Sequence, residues 1–272
     1  MAFKSLVRNQ IAKAPLLDGV FRRFIWSRMH FPEMEMRFIE SLPPGSMDVA
    51  IDVGAALGSY AWLLDRKARQ VYSFEPGRAH HDYLNRLLWG TNISLTRAAV
   101  GSRCGTVEFF TPGTDTNALH SATLSASNPV VQTAGTRVEK VEQVSLDEFF
   151  RDRLEAGRRI DFLKVDVEGY ELEVFRGAVG LIEAHRPMIV CEIEARHNSE
   201  YAKVFQLLRG AGYRCFVYRR GQLEAFDDET IESVQQERDL AIRLGPDYVS
   251  AQNSYINNFV FQHPGSRIKV TQ

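Results

Sequence analysis

Five acidic side chains and one histidine stand where short apolar runs end: Asp52, Glu75, Asp166, Glu168, Glu192 and His197. The first of them sits in residues 50–60, AIDVGAALGSY. Val49, Ala50, Ile51 and Val53 read as a strand that Asp52 and Gly54 end, and after Gly58 a helical pattern starts at Ser59. A glycine lets the chain turn sharply and lets a ligand approach closely. Backbone N–H groups and a positive helix end then lie at the mouth of a sheet, where they suit an anion. Residues 70–76, QVYSFEP, form a second strand that ends in Glu75, 23 positions after Asp52. An acid about 20 residues beyond a glycine turn is placed to accept hydrogen bonds from a ribose diol. The pair describes a nucleoside site that fits either NAD or S-adenosylmethionine. The missing G-x-G-x-x-G argues against a pyrophosphate.

The elements that position these groups alternate along the chain. Helical patterns cover residues 79–89 and 201–208, and Leu172, Phe175, Val179 and Ile182 recur at spacings of three and four. Strands are expected at 93–100, 106–110, 138–144, 160–167, 187–193, 213–218 and 255–261. Ser145 followed by Glu148 is a capping-box pattern. Residues 160–167, IDFLKVDV, form the most apolar strand and are expected at the centre. Alternation of strand and helix predicts a mainly parallel sheet with helices on both faces. Ligands bind such sheets beyond the C-terminal strand ends, which is where Asp52, Glu75, Asp166 and Glu192 fall.

Residues 31–48 read as a helix stopped by Pro43-Pro44-Gly45, which divides an N-terminal helical arm (1–47) from the main domain (48–272). Residues 111–136, rich in Thr, Ser, Ala, Asn and Gly, are expected to form a flexible rim over the site. Net charge is −1, so no global basic field draws the chain to nucleic acid. Cys104, Cys191 and Cys215 form no C-x-x-C pair and read as free thiols of a reducing compartment, which implies a cytoplasmic protein. Residues 1–30 carry Lys4, Arg8, Lys13, Arg22, Arg23 and Arg28 against Asp18, and these charges interrupt any cleavable signal. Two readings of the arm stand side by side. One is a pair of packed helices acting as a lid or homodimer contact; the other is a basic amphipathic surface resting weakly on anionic lipid.

The stretches AIDVGAALGSY, VYSFEP, ISLTRAAVG, SLDEFF, DFLKVDVEGYELEVFRGA and PMIVCEIE, over residues 48–198, resemble the FkbM family of S-adenosylmethionine-dependent methyltransferases. The most specific piece is KVDVEGYE, residues 164–171, paired with FEP. The resemblance implies a Rossmann-like class I methyltransferase, a seven-stranded α/β sheet whose last strand inserts antiparallel, and YINNFVF fits that strand. It implies S-adenosylmethionine as cofactor, with S-adenosylhomocysteine as product. Asp52, Gly54, Ala55 and Gly58 would hold the methionine portion, with Tyr60 touching it as well. Glu75 would take the ribose hydroxyls, and Ala99 with Ser102 would flank the adenine. Asp166 would lie nearest the methyl group. Many family members carry Asn where this chain has Ala56, so only backbone contacts carry over there.

Methyl transfer from a sulfonium is an in-line displacement that depends on alignment, and a base helps only a poor nucleophile such as a sugar hydroxyl. Asp166, Glu192 and His197 are the catalytic candidates, with Glu168 beside them. Glu171 and Glu173 read as solvated helix charges. No metal is expected, although Asp166 and Glu192 with His197 or Asn198 offer an alternative Mg²⁺ set. The expected function is O-methylation of a small-molecule acceptor, a hydroxyl of a sugar or secondary metabolite, with a lipid-linked sugar as a further acceptor. Trp26, Phe31 and Phe110 are candidate acceptor-pocket aromatics. N- or C-methylation of a peptide, or a non-catalytic nucleoside-binding protein, are the alternatives.

Overall fold

The computed structural model describes residues 34–112, 122–125, 128–132, 135–219, 221–226, 231–232, 234–236 and 255–269. Strand β7 (Ile160–Val165) is buried at every position and runs parallel between β1 (Met47–Val53) and β8 (Met188–Glu192). A strand buried this continuously has to be covered on both faces, and the centre of a sheet is where that happens. Beyond β1 come β2 (Ala68–Phe74) and β3 (Ile93–Thr96), both parallel. Beyond β8 comes β11 (Asn258–Gln262), inserted antiparallel between β8 and β9 (Arg214–Arg219). That insertion is the one expected of YINNFVF. An eighth strand, β10 (Gln222–Ala225), pairs back on β9 and widens the expected seven-stranded sheet.

Residues 93–100 do not form one strand. After β3 the chain leaves the large sheet, and β4 (Ala99–Val100) joins β6 (Arg137–Val144) and β5 (Gly105–Thr111) in a small three-stranded sheet. Residues 113–121 of the expected rim, with 126–127 and 133–134, lie outside the described residues.

Strand alternation sorts the core into two layers. On one face Val49, Ile51, Val53, Leu163 and Val165 pack against α4 (Leu146–Phe150), α5 (Glu171–Arg176), α6 (Val179–His185) and α7 (Tyr201–Gly210). Ser145 caps α4, its hydroxyl accepting from the Glu148 N–H. The helix expected across Leu172 and Ile182 breaks into α5 and α6 at Gly177, where a Cβ would lie 2.0 Å from the Gly101 carbonyl oxygen. On the other face Ala50, Phe162, Met188, Val190 and Val260 pack against α1 (Met34–Ser41) and α2 (Ser59–Asp65). Helix α3 (Arg78–Leu87) buries Leu84 and Leu87 in a smaller cluster with Ala55 and Ala61.

Helix α1 is the part of the expected arm that the structure describes; residues 1–33, with Trp26, Phe31 and the basic side chains, lie outside the described residues. It packs Met36, Phe38 and Ile39 into the second layer, and Phe38 meets the Tyr218 ring at 5.6 Å between centroids. The buried Tyr60 hydroxyl donates to Glu35 at 3.0 Å, tying α2 to α1. Among the described residues no helix is long and apolar enough to cross a membrane.

Removing that donor leaves a buried carboxylate oxygen poorer by one hydrogen bond. Tyr60→Phe is therefore expected to lower the unfolding free energy by about 1–3 kcal/mol, read as a lower urea midpoint at unchanged slope.

Candidate active site

The chain leaves β1 through Gly54 in the left-handed conformation, φ 84°. A Cβ there would lie 1.8 Å from the Asp166 carbonyl oxygen, so the end of β1 and the segment after β7 meet backbone to backbone. The Gly54 and Ala55 N–H groups both donate to the Phe74 carbonyl at 3.0 Å. The Gly58 N–H donates to Ala55 at 2.7 Å, and Ala56, itself left-handed at φ 45°, donates to Glu75 Oε2 at 2.9 Å. The turn spends these N–H groups on tying β1 to β2.

Glu75 is held from two sides. Its Oε1 accepts from the Gly77 N–H at 2.8 Å and lies 3.7 Å from His80 Nδ1. Two backbone donors fix the carboxylate in the wall of a cavity of about 240 Å³. The cavity lies beyond the C-terminal ends of β1, β2, β7 and β8. Gly54, Ala56 and Glu75 form one side of it, Ala98, Ala99, Val100 and Phe109 another, and Asp166, Glu168 and Glu192 the third.

Beneath it lies Lys164, fully buried in β7. Its ammonium is 3.8 Å from Asp166 Oδ2, 3.2 Å from Asn258 Oδ1 and 4.6 Å from the Tyr60 ring centre. Burial works against that charge, but Asp166, Glu192 and Glu35 outweigh it and hold the lysine protonated above its usual range. Asp52 pairs in register with Lys164, is 1% exposed, and is pushed by burial up to about 7 against the opposing pull of the ammonium. Burial and then the Asp166 charge raise Glu192 well above the usual carboxylate range, with Lys164 pulling the other way. Asn257 donates to Glu192 through Nδ2.

A second acidic group stands behind the cavity. His197 Nδ1 lies 2.6 Å from Glu168 Oε2 and 3.7 Å from Glu194 Oε2. Glu168 is left-handed at φ 49°, and its carbonyl accepts from Thr123 Oγ1 and Asn128 Nδ2, each at 2.8 Å. Those two bonds fasten residues 123 and 128 over the site. Gly169 is required beside Glu168, because a Cβ there would lie 2.4 Å from the His197 carbonyl oxygen.

The family model described as the methyltransferase FkbM domain matches residues 52–215. The chain belongs to the FkbM methyltransferase family. A curated relative, hexuronic acid methyltransferase AglP of Haloferax volcanii, is 29% identical over 151 residues, 54% of this chain and 56% of the relative. The match thus spans little more than half of that protein. The solved FkbM methyltransferase of Methylobacillus flagellatus is 16% identical with a TM-score of 0.47, covering 81% of this chain and 45% of that one. The plantazolicin methyltransferase BpumL, solved with a pentazolic desmethylPZN analog and S-adenosylhomocysteine, is 10% identical with a TM-score of 0.37, covering 96% of this chain and 90% of that one.

Within this FkbM domain the structure gathers Gly54, Glu75, Ala99, Asp166 and Glu192 in the cavity wall. The other expected positions fall elsewhere. Asp52 is sealed below the cavity because alternation in β1 turns it to the lysine. Ala55 and Gly58 use their N–H groups within the turn. Tyr60 points into the α1 layer, and Ser102 Oγ hydrogen-bonds Glu173 Oε2 at 2.5 Å. His197 stands one side chain back, behind Glu168. Phe109 rather than Phe110 faces the cavity, again by alternation. Thr123 and Leu124, from the expected rim, also line it, as does His80, which no spacing in the sequence singled out. Glu171, expected in solvent, is 2% exposed; it accepts from the Gly169 N–H at 2.7 Å and Asn198 Nδ2 at 2.6 Å.

Burial pushes Glu171 up to about 7 from an ordinary value near 4.5. The native state then keeps a proton that the unfolded chain releases, so stability falls as pH rises from about 4.5 to about 7. The loss amounts to about 3 kcal/mol. Asp52 and Glu192, also raised by burial, add to the fall in the native chain. Urea unfolding across that window should therefore show a steeper slope in the native chain than in Glu171→Gln, with the Glu171 share of about 3 kcal/mol missing from the variant.

Proposed function

We propose that this chain transfers the methyl group of S-adenosylmethionine to a hydroxyl oxygen of a sugar. One observation carries the reading: the immobilised Glu75 carboxylate and the glycine turn share a single cavity with Asp166 and Glu192. The residues present fit the cofactor. Glu75 offers a ribose diol a carboxylate already oriented by two backbone donors. The buried Ala98, Ala99 and Val100 give a low apolar shelf for a purine. Four carboxylates in the wall, Glu75, Asp166, Glu168 and Glu192, suit a cationic sulfonium.

When bound, S-adenosylmethionine supplies an electrophilic methyl group and leaves as a neutral thioether. The protein then has two tasks. One is to hold donor and acceptor in line. The other is to receive the acceptor's proton, and Glu192 is the residue for it. Its raised pKa makes it a stronger base than an ordinary carboxylate, and it faces the cavity. Asp166 stands beside it, with its carboxylate 3.8 Å from the Lys164 ammonium. His197 stands behind Glu168, its Nδ1 2.6 Å from that carboxylate, and does not reach the cavity itself. The hexuronic acid relative supports a sugar acceptor. The free thiols Cys104, Cys191 and Cys215 support a cytoplasmic setting.

Calorimetric titration with S-adenosylhomocysteine tests the cofactor site. Glu75→Ala should bind it about 10- to 100-fold more weakly, and an unchanged affinity would remove the ribose role. For the base, turnover is followed as release of S-adenosylhomocysteine with a sugar acceptor. The base works deprotonated, so the rate should rise with pH through an inflection above the ordinary carboxylate range. Glu192→Gln should erase that inflection and slow turnover by about 10²- to 10⁴-fold. A profile that keeps its inflection in this variant would place the base elsewhere.

A further inference from the structure

A second cavity, of about 550 Å³, adjoins the first and shares His80, Phe109 and Ala122 with it. Its charged walls come from separate elements. Arg78 opens α3 and Arg137 opens β6. Among the described residues neither guanidinium has an ion-pair or hydrogen-bond partner. Two acids share this wall, Glu139 and the largely solvent-exposed Asp82. Glu139 lies 3.8 Å from Arg97 and accepts from the Arg78 N–H at 3.4 Å, and Asp82 lies 3.8 Å from His81 Nδ1. Phe109 and the exposed Val138 give the wall its largest apolar side chains.

Two uncommitted arginines beside an aromatic ring, in a chamber that shares a wall with the proposed methyl-transfer cavity, ask for a particular ligand. It must carry an anion that a planar guanidinium can grip, on a body with an apolar face. A sugar ring bearing a carboxylate has both properties, since its C–H face can lie on Phe109 while its carboxylate meets the arginines. We propose that the second cavity is the acceptor subsite and that Arg78 and Arg137 select a uronic acid by holding its carboxylate. This assignment rests on the methyltransferase reading above and names the acceptor class within it. The shared wall at His80 and Phe109 lets a ring held there present a hydroxyl to the first cavity.

The test uses the full chain saturated with S-adenosylhomocysteine, titrated calorimetrically with methyl β-D-glucuronide and with methyl β-D-glucoside. The two probes differ only in the carboxylate. The glucuronide should bind at least about 10-fold more tightly, with an advantage that shrinks as salt is raised. Arg78→Met and Arg137→Met should each erode the preference, and the double variant should abolish it, with melting temperature and S-adenosylhomocysteine affinity unchanged. Equal affinity for the two glycosides, no binding of the glucuronide, or a preference that survives in the double variant would overturn the assignment. In those cases normal S-adenosylhomocysteine binding leaves the methyltransferase reading standing. Loss of S-adenosylhomocysteine binding by the native chain would instead overturn that reading and this one with it.

Discussion

Lys164 sits in the middle of the central strand with no solvent contact, its ammonium between Asp166, Asn258 and the Tyr60 ring. A charge in that position is tolerable only when acids and acceptors surround it closely. The sheet supplies them by register. Asp52 pairs with Lys164 on one side, while Asn258 pairs with Glu192 on the other. These side chains share one face because strand positions two apart point the same way. Two of the acids that line the cavity, Asp166 and Glu192, thus also hold the lysine. Stability and site chemistry draw on the same charges, and removing any one of them disturbs both.

The same arrangement reaches outward to the first described helix. Glu35 of α1 contributes to the field that keeps Lys164 protonated, and Tyr60 joins the two by its hydroxyl and its ring. Helix α1 is therefore electrostatically part of the floor of the site, although it contributes no residue to the cavity wall. Asp52 illustrates the other side of this design. Its carboxyl is pushed to about 7 by burial, yet it stands beside an ammonium that favours its charge.

Backbone conformation defines the rim. Ala56 and Glu168 are both left-handed without being glycine, and both lie at the cavity. Such residues cost of order 1–3 kcal/mol each and persist only where neighbours over-determine them. Here the neighbours are visible: Ala56 gives its N–H to Glu75, and the Glu168 carbonyl takes two side-chain donors from residues 123 and 128. The strain sits where a ligand carboxylate partner and a cavity-lining acid must be held still.

The sequence by itself determined the alternation of strand and helix, the central place of residues 160–165, and the antiparallel insertion of the last strand. It also placed Gly54, Glu75, Asp166 and Glu192 at one edge. All of these follow from local patterns: period-two and period-3.6 spacing, glycine turns, and the order of the FkbM motifs. Only the tertiary structure decided what each side chain faces. Tyr60 turns to α1, Asp52 to the buried lysine, and His197 to Glu168, because packing across the sheet overrides position along it. The partition of residues 93–100 between two sheets, the burial of Glu171, and the arginines beside Phe109 depend on contacts between segments tens of residues apart. No spacing in a single chain encodes those contacts, since they arise when distant strand ends converge on one edge.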